Sequence, residues 1–203
     1  MWRMRCGHLG LLGLLALPST LVHANTSGAD RSRADDTTFY VSGFAGQLTE
    51  NVHHEVLLTP WDVEFLDSFL LGAAVGVERP SPWAQVDLGA ELQLVKWTGN
   101  QHHWELNAIP IIGRYRFDGR AGPLRSLAFG VGFSYASAIP TEEVIRDGES
   151  NRFLIYWKAE AEFGPPDAAV SPFIKLHHRS NAFGLIEEEA GSNTVAVGLR
   201  RRF

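Results

Sequence analysis

The sequence predicts an all-β chain: an eight-stranded antiparallel up-and-down transmembrane β-barrel. Three observations carry that prediction. Apolar residues recur at every second position along eight separate stretches, which is the period of a strand. The opposite face combines Gly, Ala and Ser with charges of both signs, a filling that a narrow barrel lumen accepts. Aromatic residues gather near predicted strand ends, where interfacial girdles sit, and the final amphipathic stretch closes on Phe203.

The totals alone hide this. The chain has 203 residues, 45% hydrophobic and 20% charged, with a net charge of −5. Collagen, a coiled coil and a mostly disordered chain are excluded by that balance. The negative charge argues against a general nucleic-acid binder, so no nucleic acid is expected as a partner. The longest nearly unbroken apolar run, Leu9–Pro18, falls short of the roughly 20 residues a membrane-crossing helix needs.

That run belongs to the first segment. Arg3 and Arg5 precede it, and Val22-His23-Ala24 follows with residues suited to the −3 and −1 positions of a cleavage site. Residues 1–24 therefore read as a secretory signal peptide. Cys6, the one cysteine, would leave with it, so the mature protein is expected to have neither a disulfide nor a thiol nucleophile. Cys6 lies before the apolar run, where a lipobox cysteine does not sit. Residues 25–38 are polar and without apolar period, and read as a flexible N-terminal lead. The barrel is expected over 39–203.

Its strands are predicted at 39–49, 67–79, 83–97, 103–117, 126–138, 152–164, 168–180 and 194–203. The third sets Val86, Leu88, Ala90, Leu92 and Leu94 against Gln85, Asp87, Gly89, Glu91 and Gln93. The fifth alternates most cleanly, with Leu127, Phe129, Val131, Phe133 and Tyr135 against Ser126, Ala128, Gly130, Gly132 and Ser134. The sixth sets Phe153, Ile155, Trp157 and Phe163 against Lys158, Glu160 and Glu162. The eighth sets Val195, Val197, Leu199 and Phe203 against Thr194, Ala196, Gly198, Arg200 and Arg202. No segment of helix length shows a 3.6 period. The girdle is expected to draw on Trp61, Trp83, Trp97, Trp104, Tyr115, Tyr135 and Trp157.

A soluble lipocalin-like barrel shares the alternation but turns the apolar face inward. The strand lengths, the small-plus-charged face and the terminal aromatic favour the membrane version, hence the bacterial outer membrane. Links after strands two, four and six are short, and those after one, three, five and seven mostly longer. Short periplasmic turns and long external loops then put both termini in the periplasm and the end of strand seven outside.

Strand seven carries the candidate chemistry. Val170, Pro172, Ile174, Leu176, His178 and Ser180 share the apolar face, while Ser171, Phe173, Lys175, His177 and Arg179 face the lumen. An imidazole and a hydroxyl facing hydrocarbon are costly unless paired. Two apart on one face, their Cβ atoms lie roughly 6–7 Å from each other, within reach of a side-chain hydrogen bond. A serine held by a histidine is a minimal activated nucleophile.

At His178-x-Ser180-Asn181-Ala182, with a Gly-containing loop and a last strand ending in an aromatic, the sequence resembles the outer-membrane lipid A 3-O-deacylases (PagL-like). Ile109–Phe117 on strand four and the eight-strand count extend the likeness. The resemblance implies a serine esterase that removes an ester-linked acyl chain from lipid A in the outer leaflet. Ser180 would be the nucleophile and His178 the general base, with Asn181 and backbone N–H groups such as that of Gly184 stabilising the oxyanion. Its partners would be lipopolysaccharide and outer-membrane lipids, with no cofactor, in a monomer or homodimer. The family pattern has a Glu that orients the His, and Asn193 stands there. An Asn carbonyl holds a His tautomer but does not stabilise an imidazolium as a carboxylate does. Among the loop acids Glu187, Glu188 and Glu189, the last is the candidate third group.

Other readings stay open. His177-His178 also fits a solvated rim, and the barrel a non-catalytic role in envelope integrity or surface interaction. His53-His54, His102-His103 and His177-His178 form no HExxH or comparable metal spacing.

Overall fold

Strict alternation of apolar and polar residues leaves a strand with two unlike faces, and closing the sheet buries one of them. The structure, a computed structural model, describes residues 37–83, 85–182 and 190–203. The predicted signal peptide and most of the lead lie outside the described residues. Eight strands form one closed antiparallel barrel in sequence order: β1 (Thr38–Thr49), β2 (Phe65–Pro80), β3 (Val86–Gly99), β4 (Trp104–Ala121), β5 (Leu124–Ala136), β6 (Phe153–Phe163), β7 (Val170–Ser180) and β8 (Gly191–Arg202). β8 returns to β1, with Tyr40 opposite Arg202 and Thr49 opposite Asn193. Closure leaves no unpaired edge, which a bilayer requires.

The apolar face points outward. Leu71, Val75, Leu92, Leu94, Ile111, Phe129, Phe133, Val197 and Leu199 are all exposed on the wall. Among the described residues no helix is long and apolar enough to cross a membrane; strands make the crossing. The wall is an outer-membrane surface. Trp61, Trp83, Trp104, Tyr115 and Tyr135 are exposed as girdle residues should be. Trp97 is not. It is 1% exposed, inside the lumen, where its Nε1 donates to Glu105 Oε2 at 2.8 Å. It shares the odd parity of Glu91 and Gln93, so the alternation overrides the girdle expectation.

The lumen is solid. Arg114 reaches Glu78 at 2.7 Å, Glu160 at 2.9 Å and Glu162 at 3.0 Å. Lys158 pairs with Glu91 at 2.6 Å, and Arg200 with Glu162 at 2.9 Å. Buried charges are tolerated when they are paired, and this network sets Arg114, Lys158 and Arg200 against Glu78, Glu91, Glu160 and Glu162. Rings complete the filling. Phe44 and Tyr40 occupy the space where a Cβ on Gly72 or Gly76 of β2 would stand, 2.2 Å away in each case.

Three of the links on the side read as external are long: 50–64, 137–152 and 181–190. Two contain short helices that the sequence did not announce, α1 (His53–Leu58) and α2 (Thr141–Asp147). At 6 and 7 residues they are too short for a 3.6 period to register. α2 closes the outer mouth of the lumen: Glu142 accepts from Ser68 Oγ at 3.0 Å, and Glu143 from Arg179 Nη1 at 3.1 Å.

Candidate functional site on the outer wall

Alternation along β7 sends His177 and His178 to opposite sides. His177 points into the lumen, where its ring nitrogens meet Glu105 Oε1 at 2.9 Å and Tyr156 OH at 3.2 Å. His178 stands on the lipid-facing side, yet it is only 5% exposed. Two rings cover it. Trp157, its cross-strand partner on β6, lies with its centroid 4.4 Å away, and His53 from the start of α1 lies 5.1 Å away.

Across the other ladder, His178 is opposite Asn193 of β8. His178 Nδ1 and Asn193 Oδ1 are 2.6 Å apart. Asn193 Nδ2 donates to the Asn51 carbonyl at 3.0 Å, which fixes the amide and turns Oδ1 toward the ring. The Nδ1 proton is thereby held on Asn193, leaving Nε2 as the acceptor. Asn51 also ties its loop together, because its Oδ1 accepts from the Glu64 N–H at 2.7 Å. One asparagine thus connects the imidazole to the first external loop.

Ser180 shares the face of His178 and is half-buried at the last position of β7. Its Oγ accepts from the Ala182 N–H at 3.3 Å, and the two side chains are not hydrogen-bonded to each other. The expected Ser–His bond is therefore not made in this conformation. Asn181 lies just beyond, its N–H donating to the Ala190 carbonyl at 3.0 Å. Glu189 and Gly184 lie outside the described residues.

An apolar groove of about 660 Å³ runs along the outer wall. Val56, Leu57 and Pro60 of the first loop line one side; Phe129, Ala159 and Leu176 of the wall line the other. Leu176 is two residues from His178 on the same face, so the groove leads toward the imidazole. His53, Asn51 and Trp157 were not among the residues that sequence reasoning assigned to the site. Trp157 had a signal, since it shares its strand face with Ile155; the two loop residues had none. His102 and His103 do not join them: His103 stacks on Trp97 at 5.8 Å. Among the described residues no group of three or more His, Cys, Asp or Glu is disposed to hold a metal ion.

A histidine with one nitrogen fixed and the other without a hydrogen bond among the described residues, two positions from a serine hydroxyl on the same face of an apolar wall, is equipped for proton transfer to or from that hydroxyl. No family model matches the sequence, and no curated protein is similar to it. Solved structures are. The outer membrane enzyme PagL superposes with a TM-score of 0.54 over 80% of this chain and 98% of that one, at 13% identity. Neisserial surface protein A (NspA) gives 0.46 over 81% and 97%, at 11% identity. At such identities the likeness to PagL is one of fold, and with the closed topology and apolar wall it makes this chain an eight-stranded barrel of the bacterial outer membrane.

Proposed function

We propose that the protein is a lipid A deacylase-like serine esterase, hydrolysing an ester-linked acyl chain of lipopolysaccharide in the outer leaflet. The observation that carries this reading is the 2.6 Å bond between His178 and Asn193 on the lipid-facing wall. A lumen histidine would serve packing; one oriented on the outside serves a substrate that lies in the membrane.

In this reading Ser180 Oγ attacks the ester carbonyl while His178 Nε2 takes its proton and passes it to the leaving alkoxide. An acyl-enzyme forms and the sugar alcohol departs. Water then attacks the acyl-enzyme, giving its proton to His178, and the serine is regenerated as the fatty acid leaves. Asn181 and backbone N–H groups, that of Gly184 among them, stabilise the oxyanion. Asn193 orients the base, and Glu189 is the candidate third group. Positions two apart on one strand face are about 6–7 Å from each other, so a rotamer change at Ser180 brings the hydroxyl to the ring. The apolar groove below His178 suits the released chain.

A non-catalytic barrel is the second reading, favoured by one contact: Ser180 Oγ accepts from Ala182 rather than meeting His178. Incubating the detergent-purified protein with purified lipopolysaccharide separates the two. Fatty acid release that is lost in Ser180→Ala and His178→Ala supports the esterase. No release supports the second reading, and release unchanged in both variants contradicts the roles given to Ser180 and His178.

A further inference from the structure

We infer that Glu143, on the helix that closes the outer mouth of the lumen, is a positioning residue for the His178–Asn193 pair. β7 and β8 end their ladder in three consecutive cross-strand pairs: His178 with Asn193, Arg179 with Ser192, and Ser180 with Gly191. Alternation sends the side chains of the first pair to the outer wall and those of the middle pair into the lumen. There a single oxygen, Glu143 Oε1, accepts from Arg179 Nη1 at 3.1 Å and from Ser192 Oγ at 2.6 Å. Glu143 therefore bridges the middle pair from inside, one residue from where His178 and Asn193 meet on the outside.

Backbone is shared between the two faces, so any slip or splay of β7 against β8 at the middle pair moves the outer pair as well. Ladder ends are where strands open most readily, because fewer neighbours hold them. Here the ladder stops two residues after His178. The same helix fixes its last pair too, since Asp147 Oδ2 accepts from the Gly191 N–H at 3.1 Å. Arg179 is held again from the end of that loop, donating through Nη2 to the Asn151 carbonyl at 3.2 Å. Glu143 is 1% exposed, and a carboxylate so buried requires these donors as much as they require it.

The neighbouring Glu142 gives the built-in contrast. It is on the same helix and also buried, but it accepts from Ser68 Oγ of β2, away from β7 and β8. If α2 acted only as a stopper, the two glutamates would matter alike. If Glu143 positions the site, only its loss reaches His178.

The kinetic consequence rests on the proposed role of His178 as a base, whereas the geometric one does not. The test therefore has two arms on the full chain in detergent micelles, with heat-modifiable gel mobility as the check on folding. One arm follows the His178 Nδ1–H resonance by ¹⁵N-edited NMR. The other measures kcat and KM for fatty acid release. In Glu143→Ala the Nδ1–H signal should broaden or vanish, and kcat should fall about tenfold with KM held, as expected when a base is displaced by a fraction of an ångström. Glu143→Gln keeps an oxygen acceptor for Arg179 and Ser192 and should retain the signal and most of kcat. Glu142→Ala should leave both unchanged. A folded Glu143→Ala with the wild-type signal and kcat overturns the inference, as does an equal effect of Glu142→Ala. Should Glu143→Ala fail to fold, Ser192→Ala removes one of the two bonds and is read in the same way. If the wild type releases no fatty acid, the esterase reading fails and the NMR arm alone decides the role of Glu143.

Discussion

His178 Nδ1 and Asn193 Oδ1 are held 2.6 Å apart across β7 and β8, on the wall that meets lipid. The amide is fixed in turn by the Asn51 carbonyl. The orienting group of this imidazole is neutral, and that has consequences for rate. Replacing Asn193 by Ala removes the orientation and should lower kcat for fatty acid release by about 10- to 100-fold. Asn193→Asp places a carboxylate near the same ring nitrogen, where it stabilises the imidazolium, and should raise kcat above wild type. Steady-state kinetics of the two variants checks both directions.

His53 shields the imidazole, ring against ring at 5.1 Å, with Trp157 on the strand side at 4.4 Å. A ring contact of this kind contributes about 0.5–1.5 kcal/mol. His53→Ala should therefore leave the barrel folded while opening His178 to solvent. Carbethoxylation of His178, followed by peptide mass spectrometry, should be faster in the variant than in the wild type.

The lumen network predicts a large stability loss when one partner is removed. Arg114 serves Glu78, Glu160 and Glu162 together, all within 3.0 Å. Arg114→Leu takes from Glu78 its 2.7 Å partner and from Glu160 and Glu162 one of their donors, and should cost about 3–5 kcal/mol, read from urea unfolding in lipid vesicles. Restoring balance with Glu160→Gln in the same chain should recover part of it.

The outer wall makes the opposite prediction. Leu92 lies mid-strand on β3 and is exposed to lipid. Leu92→Arg should destabilise the barrel by about 2–4 kcal/mol in vesicles. In a soluble barrel an exposed Leu→Arg change would be nearly neutral, so the same unfolding experiment separates the two environments.

Much of this was legible in the sequence because strand parity is a rigid rule. The faces of β3, β5, β6, β7 and β8 follow from alternation alone. Parity puts His178 and Asn193 on one face, the resemblance to the lipid A deacylases singled out Asn193 as the orienting position, and the register that sets the two opposite each other comes from the structure. Trp97 was readable by the same rule, since it continues the lumen face of Glu91 and Gln93; its aromatic character pointed the other way. The loops were not legible. α1 and α2 are one to two turns long, and short helices are held by tertiary contacts rather than by periodicity. His53 and Glu143 reach the site through those helices, so no spacing along the chain announces them. The hydroxyl of Ser180 is a third kind of case: parity gives its face, but its partner depends on rotamer and on the turn at Ala182, whose φ is 51°.

The central claim is that this wall carries out ester hydrolysis on lipid A, and mass spectrometry of lipid A from cells expressing the protein tests it most directly. The account predicts that wild-type cells lose one ester-linked acyl chain and that cells expressing folded, surface-assembled Ser180→Ala keep it. Unchanged lipid A with the wild-type protein, or the same loss with Ser180→Ala, would contradict it.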